Sequence, residues 1–129
     1  MSTDDLLHNY ESVIRPVAEY ACVVWHSSLT KDQSARLESI QHRALKLIYG
    51  RDNNETKLLP SLADRREDLA KRFFNSLINP TNCLHYLLPP KRDINVISKL
   101  RHVKLFACPT TRTERFKNST IIYALNNFQ

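Results

Sequence analysis

Tyr10-Glu-Ser-Val-Ile-Arg-Pro-Val-Ala-Glu-Tyr20-Ala-Cys-Val-Val-Trp25 is the stretch whose reading decides the fold. Turned at about 100° per residue, a helix through it gathers Leu6, Tyr10, Val13, Ile14, Val17, Ala21 and Val24 on one face. Glu11, Arg15 and Glu19 fall on the other. Pro16 lands on the outer face, lacks the N–H that would bond to Ser12, and so predicts a kink. Such a helix, with Tyr10, Tyr20 and Trp25 as its aromatic anchors, needs a partner for its apolar side. It is expected to run from Asp4 to Trp25, capped by Thr3, with Asp4 and Asp5 at the positive end of its dipole. No aromatic residue precedes the Asp4-Asp5 pair, so it reads as helix capping rather than as a polymerase metal motif.

The following residues supply the partner. After a loop, His26-Ser-Ser-Leu29, the pattern Thr30-Lys-Asp-Gln33 is a capping box that opens a second helix. Its buried face is read as Leu37, Ile40, Gln41, Ala44, Leu47 and Ile48, and Gly50 sits where an αL cap would end it. Arg36, Arg43 and Lys46 form a flanking stripe. Residues 51–57 read as a polar loop. Ser61 with Asp64 starts a third helix whose apolar stripe is Leu62, Leu69, Phe73 and Leu77, ending at Asn79-Pro80. Arg66 falls inside that stripe and needs a partner, either an ion pair or backbone carbonyls. Arg65 and Arg72 lie on its edge.

Beyond Pro80 the pattern changes. Thr81 to Asp93, with Pro89-Pro90, reads as a linker anchored by Leu84, Tyr86, Leu87 and Leu88. Loose alternation around Val103, Leu105 and Phe106 predicts a basic β-hairpin within 96–117. Ser119 is expected to cap a last helix, Thr120 to Asn126, that buries Ile121, Ile122 and Leu125. The fold class is therefore mainly α: a small three-helix bundle over 1–80, then a basic segment over 81–129 comprising the hairpin and a short C-terminal helix.

Composition narrows the function. The 129 residues suffice for one domain, or part of a larger one, and a 42% hydrophobic content can fill a core. One glycine leaves no Gly-rich phosphate loop. No run approaches the roughly 18 apolar residues that span a membrane, and the acidic start Met1-Ser-Thr-Asp-Asp5 does not resemble a secretory signal. Cys22, Cys83 and Cys108, odd in number and far apart, suit reduced thiols in an intracellular protein. The net charge of +6 is lopsided: residues 1–60 hold 7 Lys and Arg against 8 Asp and Glu, and residues 61–129 hold 12 against 5. Most of the excess is Lys91, Arg92, Lys99, Arg101, Lys104, Arg112, Arg115 and Lys117, the pattern of a polyanion-binding surface. Cys83-Leu-His85 resembles half a zinc site, but no second pair lies at ligand spacing. The acidic residues are scattered, the serines lack a nucleophile-elbow context and the histidines show no metal spacing. No catalytic residue, metal or cofactor is expected.

Four blocks in order carry a family resemblance. Tyr10-x-x-x-Ile14-Arg15-Pro16-Val17-x-Glu19-Tyr20-Ala21 with Trp25 resembles the segment just after the palm of non-LTR (LINE-type) retrotransposon reverse transcriptases, the jockey-like ones especially. Leu29-Thr30 and Leu37-Glu38-Ser39-Ile40-Gln41-x-Arg43-Ala44-Leu45-Lys46-Leu47-Ile48-x-Gly50 is similar to the next block. Leu62-x-x-Arg65-Arg66-x-x-Leu69 resembles a third, and Arg112-Thr113-x-Arg115-Phe116-x-Asn118-Ser119 with Ala124-Leu125-Asn126-Asn127 resembles the tail. The pattern departs at Thr120 and Ile122, where an aromatic and a proline are usual, and at Ala18, which replaces a bulkier aliphatic. The resemblance covers nearly the whole chain. It implies a thumb and post-thumb segment that holds template and product against a palm carrying the aromatic-x-Asp-Asp metal site, with that palm lying upstream. The chain is then expected to be a C-terminal remnant of such an enzyme.

The leading expectation is a non-catalytic, thumb-like module that binds RNA, DNA or an RNA–DNA hybrid by backbone contacts without sequence preference. Arg36, Arg43, Lys46, Arg65, Arg72 and the cations of 91–117 would make the contacts; Tyr10, Pro16, Tyr20, Trp25, Gly50 and Arg66 would be structural. The competing expectation is a protein-interaction or purely structural fragment that self-associates through exposed apolar faces. A helix-turn-helix reader fits worst, because the link between the second and third helices is too long.

Overall fold

The computed structural model describes residues 1–50 and 59–129; the 51–57 segment read as a loop lies outside the described residues. The fold is mainly helical. By contacts it divides into two compact units, one of Met1–Cys22 with Leu29–Asp68, the other of Val23–Ser28 with Leu69–Gln129.

The first unit opens on α1 (Thr3–Asn9), a π-helical turn (Tyr10–Ile14) and α2 (Arg15–Glu19). The N-cap is Ser2 rather than Thr3. Its hydroxyl accepts from the Asp5 N–H, and the Asp5 carboxylate accepts from the Ser2 N–H, a complete capping box. These bonds hold the Asp5 carboxyl below its ordinary pKa. The kink predicted at Pro16 takes the form of the π-turn just before it. There the Arg15 N–H bonds to the Tyr10 carbonyl, five residues back, so the chain carries one extra residue before the proline.

That extra residue rotates α2 by about one position and moves its apolar face with it, and the break after α2 sets the face of α3 anew. Val17, Ala21 and Val24, expected inside, are exposed; Ala18 and Trp25 are half-buried and Cys22 is buried instead. Tyr20, read as an anchor, is 79% exposed. The helix also breaks there. Tyr20 has ψ 125° and Ala21 a φ of 49°, and a short α3 (Cys22–Trp25) follows.

The Thr30–Gln33 capping box forms as read, with both reciprocal bonds, and opens α4 (Lys31–Tyr49). Gly50 ends α4 with a positive φ of 85°, but its ψ of 174° is extended rather than αL. On α4, Gln41 and Leu45 are buried; Leu37, Ala44 and Ile48 are half-buried. Ile40 (49%) and Leu47 (80%), expected in the core, are exposed.

Helix α5 (Leu62–Ile78) begins at Ser61, whose hydroxyl accepts from the Asp64 N–H, and stops before Asn79-Pro80. Its buried line is Leu62, Arg66, Ala70, Phe74 and Leu77, with Leu69 and Phe73 only half-buried. Leu62 and Arg66 belong to the first unit, the other three to the second.

The second unit packs Phe74, Phe106, Ala124 and Leu125 at its centre, with Ile78, Leu88, Leu105, Cys108, Ile121 and Phe128 around them. Val23–Ser28 is tied in by two long-range bonds. The Ser27 hydroxyl donates to the Asn118 carbonyl at 2.6 Å, and the Thr120 hydroxyl to the Val24 carbonyl at 2.8 Å. The rings of His26 and Tyr123 meet edge-on at 6.3 Å. In the linker, Leu84 and Leu88 are half-buried as anchors, whereas Tyr86 is 77% exposed and Leu87 42%.

No β-hairpin forms among the described residues of 96–117. What remains is a single antiparallel bridge, Lys91 to Phe106, with the Arg92 N–H donating to the Leu105 carbonyl. Two features stop the ladder. Asp93 caps a turn of helix, α6 (Ile94–Ile97), where a strand would continue. The Gln129 side-chain amide takes both backbone groups of Phe106, accepting from its N–H at 3.0 Å and donating to its carbonyl at 3.2 Å. A short α7 (Glu114–Lys117) follows, capped by Thr113. Ser119 stands at the N-cap position of α8 (Thr120–Asn127) but makes no side-chain cap bond, its hydroxyl donating instead to the Phe116 carbonyl at 2.7 Å; α8 buries Ile122, Ala124 and Leu125. No helix among the described residues is long and apolar enough to cross a membrane.

Candidate nucleic-acid interface

On the first unit, α4 presents Arg36, Arg43 and Lys46 with exposed side chains. Their spacing of 7 and 3 residues keeps them on one side of the helix, over roughly 15 Å of its length. The Thr30 capping box at one end and Gly50 at the other fix where that helix starts and stops. Behind it, the Tyr10 hydroxyl donates to the Gln41 amide oxygen at 2.9 Å, and the Gln41 amide nitrogen donates to the Pro60 carbonyl at 3.0 Å. Glu38 accepts from the Ala63 N–H at 2.8 Å, so this carboxylate is turned to the start of α5. The stripe is thus a cationic ridge on a pinned helix.

Arg65 stands apart. Its guanidinium grips Glu19 through two bonds, Nε to Oε1 and Nη2 to Oε2, the latter at 3.0 Å. The Glu19 hydrogen bond pushes its pKa still higher. Glu19 reaches it because the π-turn shifts that residue inward; without the shift the sequence places it on the outer face. Arg66 is fully buried and has the Ser34 hydroxyl among its partners, at 2.9 Å.

On the second unit, Arg72, Lys91, Lys99, Arg101, Arg112, Arg115 and Lys117 are exposed, and Arg92 and Lys104 are half-buried. The carboxylates nearest in sequence neutralise little of this charge. Asp93 caps α6, and Glu114 stands 3.8 Å from Lys117 in a pair that solvent screens on both sides. Cys83 is exposed, while His85 bonds through Nδ1 to the Leu77 carbonyl at 2.7 Å, so this motif serves the end of α5. Among the described residues, no three His, Cys, Asp or Glu side chains are grouped to hold a metal.

Sequence reasoning missed two polar hubs, Gln41 and Gln129. Gln41 was placed inward, but only its spacing from Tyr10 in the fold identifies its bond. Gln129 gave no signal, because a lone glutamine has no pattern to match. No protein-family model, no curated protein and no solved structure matches the chain.

Proposed function

We propose that the chain is a non-catalytic, thumb-like module of a non-LTR reverse transcriptase, without the palm, that binds RNA, DNA or an RNA–DNA hybrid through backbone phosphates. The observation that carries this reading is the exposure of the cations. Arg36, Arg43 and Lys46 stand outward on α4, and the 91–117 segment keeps most of its positive side chains in solvent. Phosphate contacts of this kind carry no sequence preference. Arg65, committed to Glu19, does not belong to the binding set.

The test is the salt dependence of binding to a labelled RNA–DNA hybrid, followed by fluorescence anisotropy. Affinity should fall steeply with salt. Replacing Arg36, Arg43 and Lys46 together by Ala should reduce the log–log slope by about 3. A flat dependence, or no binding at low salt, refutes the reading. Primer–template with Mg²⁺ and dNTPs should give no extension; extension would refute the non-catalytic part.

One observation favours the second reading, a self-associating fragment: Val13 (58%), Val17 (75%) and Leu47 (80%) are exposed in the first unit. It predicts concentration-dependent sedimentation that salt does not abolish.

A further inference from the structure

The two units divide the charge of the chain unequally. Val23–Ser28 with Leu69–Gln129 holds 10 Lys and Arg against 2 Asp and Glu, whereas the first unit holds 9 against 11. The second unit is a polycation in its own right, and its two acids are both engaged locally, Asp93 as the cap of α6 and Glu114 beside Lys117. Within that field stands Phe116, 47% exposed. The ring contacts of the unit join Phe74, Phe128, Tyr123 and His26; among the described residues Phe116 takes part in none. It also lies outside the packed centre around Phe106 and Leu125.

The backbone of Phe116 is nonetheless fixed. Its N–H donates to the Thr113 hydroxyl at 3.2 Å, and its carbonyl accepts from the Ser119 N–H at 3.1 Å and the Ser119 hydroxyl at 2.7 Å. Arg115 and Lys117 adjoin it and Arg112 stands four residues before it, all three exposed. Among the described residues no carboxylate pairs with Arg112 or Arg115.

We infer that Phe116 stacks on an unpaired base of a single-stranded nucleic acid whose phosphates are held by Arg112, Arg115 and Lys117. This stacking rests on the reading of the chain as a binder of backbone phosphates, and it narrows the substrate at this site to strands with accessible bases. Cations alone hold any polyanion. A solvent-facing ring among them adds a contact that a base can meet with its flat face, whatever its sequence. Bases inside a duplex are stacked on their neighbours and do not offer that face. Tyr86 is the unit's other strongly exposed ring, at 77%, but no Lys or Arg lies within four positions of it in the chain, so it serves as the control.

The test uses the full chain, fluorescence anisotropy and labelled probes of about 12 nucleotides. These are oligo(dT), oligo(U), an abasic strand that keeps the phosphates without bases, and a blunt RNA–DNA hybrid. Phe116→Ala should weaken oligo(dT) and oligo(U) by at least about fivefold. It should change the hybrid and the abasic strand by less than about twofold, and leave the salt slope unaltered. Phe116→Trp should retain binding. Replacing Arg112, Arg115 and Lys117 together by Ala should instead lower the slope for oligo(dT) by about 2. Because half of the ring is buried, Phe116→Leu, which keeps apolar bulk without a flat face, accompanies Phe116→Ala, with circular dichroism to confirm the fold. The stacking is refuted if Phe116→Leu binds oligo(dT) as the wild type does, or if the hybrid and the abasic strand lose as much as oligo(dT). An equal loss in Tyr86→Ala refutes it too. Phe116-dependent sedimentation with phosphatidylserine vesicles, with oligo(dT) binding unaffected by Phe116→Ala, would assign the ring to a bilayer instead. Salt-dependent hybrid binding with no effect of Phe116 on any strand defeats the stacking alone, whereas failure of every probe to bind at low salt defeats the phosphate-binding reading as well.

Discussion

Tyr10→Phe is the substitution that most directly tests how the first unit is held together. The Tyr10 ring is 2% exposed and Gln41 is 5% exposed, so water cannot readily replace what the change removes. Deleting one oxygen leaves almost no cavity. The cost is that the Gln41 amide oxygen loses its 2.9 Å donor while its nitrogen stays committed to the Pro60 carbonyl. A buried acceptor left without a donor costs about 1–2 kcal/mol. Against a total stability of roughly 5–15 kcal/mol, that corresponds to a drop in Tm of about 4–10 °C.

The effect should also depend on pH. The Tyr10 hydroxyl is raised above its ordinary pKa of 10.0, first by burial, with Arg15 opposing, Glu19 and Glu38 adding, and Arg65 opposing. A pKa raised in the folded state means stability that is complete below the unfolded value and lost as pH rises through the folded one. The gap between wild type and Tyr10→Phe should therefore be widest near neutrality and narrow above pH 10.0. Urea unfolding followed by circular dichroism at both pH values measures it. In a Gln41→Leu background the same change should cost much less, since its acceptor is gone. An unchanged midpoint at neutral pH, or a gap that persists undiminished in alkali, refutes the reasoning.

Other substitutions probe other links. Arg65→Ala should cost about 1–2 kcal/mol by stranding the shielded Glu19 carboxylate, yet leave hybrid affinity unchanged; an affinity loss matching that of Arg43→Ala would return Arg65 to the binding surface. Gly50→Ala meets no heavy atom of the described residues within 4 Å, and its φ of +85° strains any L side chain, at a cost of about 1–3 kcal/mol in urea unfolding. Phe74→Ala, at a site 1% exposed in the centre of the second unit, should cost about 3–5 kcal/mol and show as an early loss of near-ultraviolet circular dichroism.

Punctuation was the most legible layer of this sequence. Thr30–Gln33, Gly50, Ser61 and Pro80 each mark a helix boundary, because caps and breakers act over three or four residues, and Ser119 marks one by position without a cap bond. Ser2-x-x-Asp5 is the same signal, overlooked in favour of the neighbouring Thr3. Faces were less legible. A single inserted residue at Tyr10–Ile14 carried Val17 outward and brought Ala18 and Glu19 inward, the break at Tyr20–Ala21 reset the face again, and no periodicity fixed at 100° can anticipate either. Residues 96–117 misled for another reason. Their alternation is genuine, but a hairpin needs a second strand, and the Gln129 amide already occupies the backbone of Phe106. As for the candidate interface, the sequence identified the cations but could not distinguish those in solvent from Arg65, whose partner lies 46 positions away.

The route of the chain between its two units limits how the protein can be divided. Val23–Ser28 lies within the amino-terminal part of the sequence yet is fastened to Asn118 and Thr120, 91 and 96 positions downstream. No single stop codon separates the units. A clone ending at residue 80 would keep this hexapeptide without its fastenings, and one beginning at residue 81 would lack Ala70, Phe74 and Leu77 as well. During synthesis the second unit cannot close until Asn118 and Thr120 have emerged, so a ribosome-bound chain must wait with that hexapeptide unsecured.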